Sequence, residues 1–92
     1  MRFRLLYFWN TTAGTFYIGQ SDDGRFHAIY GNESYGSYSK DWQAAEDLAH
    51  NATFSIHHST TGNLLDTSKL GIPENTSQWK RISASNSHFK FS

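Results

Sequence analysis

Thr15-Phe16-Tyr17-Ile18-Gly19-Gln20-Ser21-Asp22-Asp23-Gly24-Arg25-Phe26-His27-Ala28-Ile29-Tyr30-Gly31 is the stretch whose reading decides the fold. Two aromatic-rich runs flank Asp22-Asp23-Gly24. A three-residue turn pairs Ser21 with Arg25, Gln20 with Phe26, Ile18 with Ala28 and Phe16 with Tyr30. That register collects Phe16, Ile18, Phe26, Ala28 and Tyr30 on one face. It also places Gly24 where a three-residue hairpin loop needs a left-handed residue. Turn chemistry and hydrophobic pattern therefore agree on a hairpin.

Working outward, Arg2 to Asn10 alternates as a strand, with Phe3, Leu5, Tyr7 and Trp9 in phase. A four-residue loop, Thr11-Thr12-Ala13-Gly14, pairs Asn10 with Thr15 and Trp9 with Phe16. It brings the alternating aromatics onto the face of Phe16 and Ile18. The expectation is an α+β domain built on a three-stranded antiparallel meander, about 2–10, 15–21 and 25–31. Its second face carries Leu6, Phe8, Tyr17, His27 and Ile29, with Arg4 and Arg25 near the ends. That face is more apolar than solvent requires.

Asn32 to Ser39 is turn-rich, with a short extended piece at Tyr35 to Tyr38. Ser39 is a good N-cap for one helix, about 40–50. Trp42, Ala45, Leu48 and Ala49 form its apolar stripe, with Trp42 as the main anchor. Beyond it the chain reads as irregular. Thr53 to His57 alternates like a short strand, Asp66 caps a turn over Thr67 to Leu70, and Trp79 packs inward after Pro73. His88 to Ser92 alternates again and offers an edge strand. Residues 1–92 make one small domain, with 83–92 read as a mobile tail.

Composition narrows function by exclusion. There is no Cys, which removes disulfides and thiolate metal sites. Eight basic and eight acidic residues cancel, which disfavours a generic polyanion binder. No apolar run is long enough to span a bilayer, and the basic start Met1-Arg2-Phe3-Arg4 lacks the apolar core and cleavage site of a leader. A cytoplasmic protein is the expectation.

No motif carries catalysis. His57 and His58 are adjacent and diverge in a strand, and no metal-ligand spacing joins them to His27, His50 or Asp66. Asp22-Asp23 suits a turn, and Glu46-Asp47 suits the polar side of the helix. No nucleophile elbow accompanies the Ser, His and Asp residues present. The glycines are scattered and form no phosphate loop. No catalytic residue, cofactor or metal is implied, and an enzyme is the least supported reading.

The segments Gly24-Arg25-Phe26-His27-Ala28-Ile29-Tyr30, Tyr35-Gly36-Ser37-Tyr38, Ala45-Glu46-Asp47-Leu48-Ala49 and Asp66-Thr67-Ser68-Lys69-Leu70-Gly71-Ile72-Pro73 resemble a group of short uncharacterised bacterial and phage proteins. These segments are turns, a helix face and a Leu-Gly-Ile-Pro stop, and they bring no site residues with them. The resemblance implies a bacterium or mobile element as context, and phage proteins of this size often bind and block host proteins. The leading expectation is thus a non-enzymatic interaction module for a protein partner. Its surface would be the second sheet face or the edge left by the first or third strand. Tyr17, His27 and Tyr35 would be anchors, and Arg25 a polar rim residue. The alternative is a nucleic-acid-binding module that stacks bases on the aromatic sheet face. An aromatic edge strand also offers pairing with a second copy, giving a homodimer.

Overall fold

A computed structural model describes residues 2–82 and 88–90. The strands are β1 (Arg2–Thr11), β2 (Gly14–Ser21), β3 (Phe26–Tyr30), β4 (Glu33–Tyr38), β5 (Lys80–Arg81) and β6 (His88–Lys90). One helix, α1 (Asp41–Ala49), follows β4, and two single 3-10 turns cover Thr67–Lys69 and Thr76–Gln78. The sheet is antiparallel in the order β4-β3-β2-β1-β5, with β6 also paired to β1. The protein is thus a small α+β fold, but the sheet extends past the expected three-stranded meander on both sides. The residues expected to form turns and a short extended piece are the full strand β4. The alternating tail segment contributes β6, and the rest of the expected mobile tail, 83–87 and 91–92, lies outside the described residues.

The β2–β3 hairpin has the expected register, Gln20 opposite Phe26, Ile18 opposite Ala28 and Phe16 opposite Tyr30. Its turn closes through Ser21 N–H donating to Arg25 O at 2.9 Å, with Gly24 at φ +86°. The hairpin β1–β2 likewise pairs Asn10 with Thr15 and Trp9 with Phe16. Further along, the register shifts between Leu5 and Tyr7. This bulge at Leu6 reverses which face the first half of β1 presents. Tyr7 and Trp9 pack with Phe16 and Ile18 as expected. Phe3 and Leu5 do not: they join Ile29 on the opposite face, with Tyr17 and Ile82 beside them.

The larger core lies between the sheet and α1. Phe16, Ile18, Ala28 and Tyr30 meet Ala44, Ala45 and Leu48 of the helix, and Ile56, Ile72 and Trp79 from the irregular half close it. Phe16 and Tyr30 stack with ring centroids 4.5 Å apart. Tyr30 also ties down two loops, since its hydroxyl donates to Ala13 O at 2.7 Å and accepts from Ser59 N–H at 3.0 Å. The helix is turned relative to expectation. Its buried positions are Ala44, Ala45 and Leu48, whereas Trp42 is 47% exposed and is not the anchor. Ala44, Ala45 and Leu48, rather than the indole, meet Phe16, Ile18, Ala28 and Tyr30. The N-cap is Lys40 rather than Ser39, and Gln43 Oε1 accepts from the Lys40 N–H at 3.2 Å.

Beyond the helix, Thr53 to His57 forms no strand among the described residues, only a bridge from His57 to Leu64. Asp66 does cap its turn, accepting from Ser68 N–H at 3.0 Å. Trp79 is buried as expected, and its indole N–H donates to Pro73 O at 2.8 Å.

Candidate functional site

The four residues expected to share an interaction surface do not do so. Tyr17 is half-buried beside Phe3, Leu5 and Ile29 on one side of the sheet. Tyr35 is half-buried against the helix-side core on the other. His27 is 8% exposed, with its ring edge-on to Phe3 at 4.8 Å. Only Arg25 is freely exposed, and it is engaged: Nε donates to Ser37 Oγ at 2.6 Å and an Nη to Ser37 O at 3.1 Å.

The structure does gather Ser21, Asp23, His27 and Ser34, which no sequence spacing connects. His27 Nε2 lies 3.0 Å from Ser21 Oγ, and Nδ1 lies 2.9 Å from Ser34 Oγ. Ser21 Oγ donates in turn to Asp23 Oδ1. Burial lowers the His27 pKa, opposed by the Asp23 carboxylate and aided by Arg25. Ser34 Oγ also donates to Gly36 O at 3.2 Å and Ser21 Oγ lies 3.2 Å from Arg25 O, so the four residues share one hydrogen-bonded network across the turn. The group clasps the β2–β3 turn to β4.

The expected docking edges are occupied. The outer edge of β1 pairs with β5 at Tyr7 and Phe8 and with β6 at Arg2 to Arg4. The outer edge of β3 pairs with β4. One sheet edge is therefore β4, and it is obstructed; the other is the short β5 and β6. Phe54 N–H donates to Tyr35 O at 3.1 Å, and Arg25 covers Ser37 O. A register shift between His27 and Ile29 disrupts the β3–β4 ladder as well. Such devices suppress open strand pairing.

Beside this edge lies a cleft of about 240 Å³ between β4, the last turn of α1 and the chain just after it. Tyr35 and Tyr38 come from β4, Asp47 from the helix, and Thr53 and Phe54 from the following loop. Gly36 is required by the arrangement of Tyr38. A Cβ there would fall 2.5 Å from the Tyr38 hydroxyl, so only glycine lets that ring fold back over the strand. Burial first, and then the neighbouring Asp47 carboxylate, push the Tyr38 pKa far above the ordinary range. Tyr35 donates to Glu33 Oε2 at 2.9 Å, and its pKa is raised by burial and by Glu33. Phe54 stands 75% exposed at the rim. The cleft thus combines three aromatic rings with carboxylates at two of them, and no Lys or Arg lines it.

Sequence reasoning assigned Tyr35 to a surface but missed Tyr38, Asp47 and Phe54. Phe54 and Ile56 alternate as if on one strand face, yet Ile56 is 2% exposed and Phe54 points out. Among the described residues, no three His, Asp or Glu side chains converge as a metal site, and no helix is long and apolar enough to cross a membrane. No protein-family model, curated protein or solved structure matches this chain.

Proposed function

We propose that the protein is a non-enzymatic interaction module that seats a segment of a protein partner in the β4–α1 cleft. The observation that carries this reading is the exposed Phe54 ring beside Tyr35, Tyr38 and the Asp47 carboxylate. Aromatic faces and a carboxylate, with no cation in the lining, suit a lysine or arginine side chain of the partner. Covering the exposed Phe54 ring with a partner would remove its apolar surface from water. A blocking role toward a host protein, which the resemblance to short bacterial and phage proteins implies, belongs to the same proposal.

Selection of random displayed peptides on the full chain tests it. The selected peptides are expected to share a central basic residue. Replacing that residue with norleucine, or replacing Phe54 with Ser in the protein, should weaken binding roughly 10-fold, near the upper range for a desolvated cation on aromatic rings. Peptides that bind Phe54→Ser as well as the unsubstituted protein would move the site elsewhere.

A further inference from the structure

The zero net charge conceals a segregation around the β4–α1 cleft. β3, β4 and α1 carry Glu33, Asp41, Glu46 and Asp47 but no Lys or Arg. The chain that follows the helix and closes the cleft adds none through Ile56. Arg25 touches one lining residue, Ser37, from the other side of the strand. Ser37 is opposite His27 in register, and the His27 ring packs on Phe3, away from the helix.

The irregular β3–β4 ladder brings two rings to this cleft. Residues three apart on a regular strand point to opposite faces. Between the pairs His27–Ser37 and Ile29–Ser34, β4 holds one more residue than β3. That extra residue puts both Tyr35 and Tyr38 against the helix-side core. The N–H of Phe54 donates to Tyr35 O at 3.1 Å, which fixes the third residue beside β4.

The acceptors in the lining are largely committed. Tyr35 O accepts from Phe54 N–H, Asp47 O from Ala52 N–H, Gly36 O from Ser34 Oγ, Ser37 O from Arg25 and Phe54 O from Thr53 Oγ1. The charged acceptor is the Asp47 carboxylate. A primary ammonium brings three N–H donors, each of which gives up water on entering. Donors left short of acceptors there cost binding energy. A trimethylammonium carries the same charge with no N–H donor, and its methyl groups meet ring faces directly. Quaternary ammonium groups are recognised in this way, by aromatic rings. At about 240 Å³ the cleft exceeds several-fold the space one water needs, so it has room for the branched head group.

We infer that the cleft takes a trimethylated lysine side chain of the partner. Tyr35, Tyr38 and Phe54 surround the quaternary ammonium, and Asp47 supplies the countercharge. The inference rests on the reading of this cleft as the partner-binding site. The lysine stem lies along the exposed Phe54 ring, covering apolar surface that a shorter cation leaves wet.

The test is titration of the isotope-labelled full chain with four compounds, followed by amide shifts. They are N-acetyl-Nε-trimethyl-lysine N-methylamide, its unmethylated form, its neutral analogue with carbon in place of Nε, and choline. The trimethyl compound should bind at least about 3-fold tighter than each of the others, with shifts at Tyr35, Tyr38 and Phe54. Phe54→Leu keeps an apolar side chain but removes the ring. It should weaken the trimethyl compound at least about 3-fold and the neutral analogue less than about 2-fold. Equal or tighter binding of the unmethylated compound would overturn the inference while leaving a basic side chain in the cleft. Equal binding of the neutral analogue would overturn the role of charge, and equal binding of choline would overturn the lysine source. No shift at these residues with any compound would overturn the cleft reading itself, and the inference with it.

Discussion

His27 Nε2 lies 3.0 Å from Ser21 Oγ across the β2–β3 turn, and this contact makes His27 part of the scaffold. Both ring nitrogens are engaged and the ring is depressed in pKa by burial. Replacing His27 with Ala removes one hydrogen bond each from Ser21 and Ser34, and with it the ring's edge-on contact with Phe3. We expect it to cost about 1–3 kcal/mol, read as a shift in the urea midpoint. A surface anchor would leave that midpoint unmoved.

The same histidine makes stability pH-dependent. In the unfolded chain it titrates near 6.5, and in the folded protein below that. Between the two values the unfolded chain takes up a proton that the folded chain refuses. Its contribution is therefore complete above about 6.5 and falls as pH drops through that window. Urea midpoints measured from neutral to mildly acidic pH should decline, and His27→Ala should flatten that part of the curve.

Tyrosine gives the opposite sign at the alkaline end. Tyr38 keeps its proton far above the ordinary 10.0, because of burial and the Asp47 carboxylate. Above 10.0 the unfolded chain ionises while the folded protein does not. This contribution is full below that value and is lost as pH rises. In a phenolate absorbance titration of the folded protein, Tyr38 should ionise last. Tyr38→Phe should remove that late component.

Phe54 at the cleft rim and Ile56 in the core should separate cleanly. Ile56→Ala opens a cavity in the helix-side core and is expected to cost about 2–4 kcal/mol. Phe54→Ser should shift stability by less than about 0.5 kcal/mol, as expected of a surface position. Thermal or urea unfolding of both variants checks this. A large loss from Phe54→Ser would place that ring in the core.

Gly19 tests the packing that the bulge creates. A Cβ there would meet Ile29 Cδ1 at 2.9 Å and Leu5 Cδ2 at 3.2 Å. Gly19→Ala should cost about 1–3 kcal/mol by crowding Leu5 against Ile29. A neutral result would mean that Leu5 does not lie where the register shift puts it.

How legible the fold was in the sequence depended on range. The β2–β3 hairpin and the Asn10–Thr15 register were readable because turn residues and alternation act locally. The bulge at Leu6 was not, because Leu5-Leu6-Tyr7-Phe8 is apolar throughout and offers no break in pattern. Its consequence, Phe3 and Leu5 on the other face, followed unseen. Trp42 fitted the helical stripe, but the space against the sheet admits Ala44 and Ala45 instead. Of the cleft, only Tyr35 was marked. Asp47 and Phe54 join it through tertiary contacts that leave no periodic trace.

The central claim is that the β4–α1 cleft, not the second sheet face, receives the partner, and that it does so through a cationic side chain. Titrating the isotope-labelled protein with N-acetyl-lysine N-methylamide, and in parallel with its Nε-acetylated form, tests this most directly. The account predicts saturable shifts at Tyr35, Tyr38, Asp47 and Phe54 with the cation and much weaker ones with the neutral analogue. Shifts centred on Tyr17 and Ile29, or equal shifts with both compounds, would contradict it.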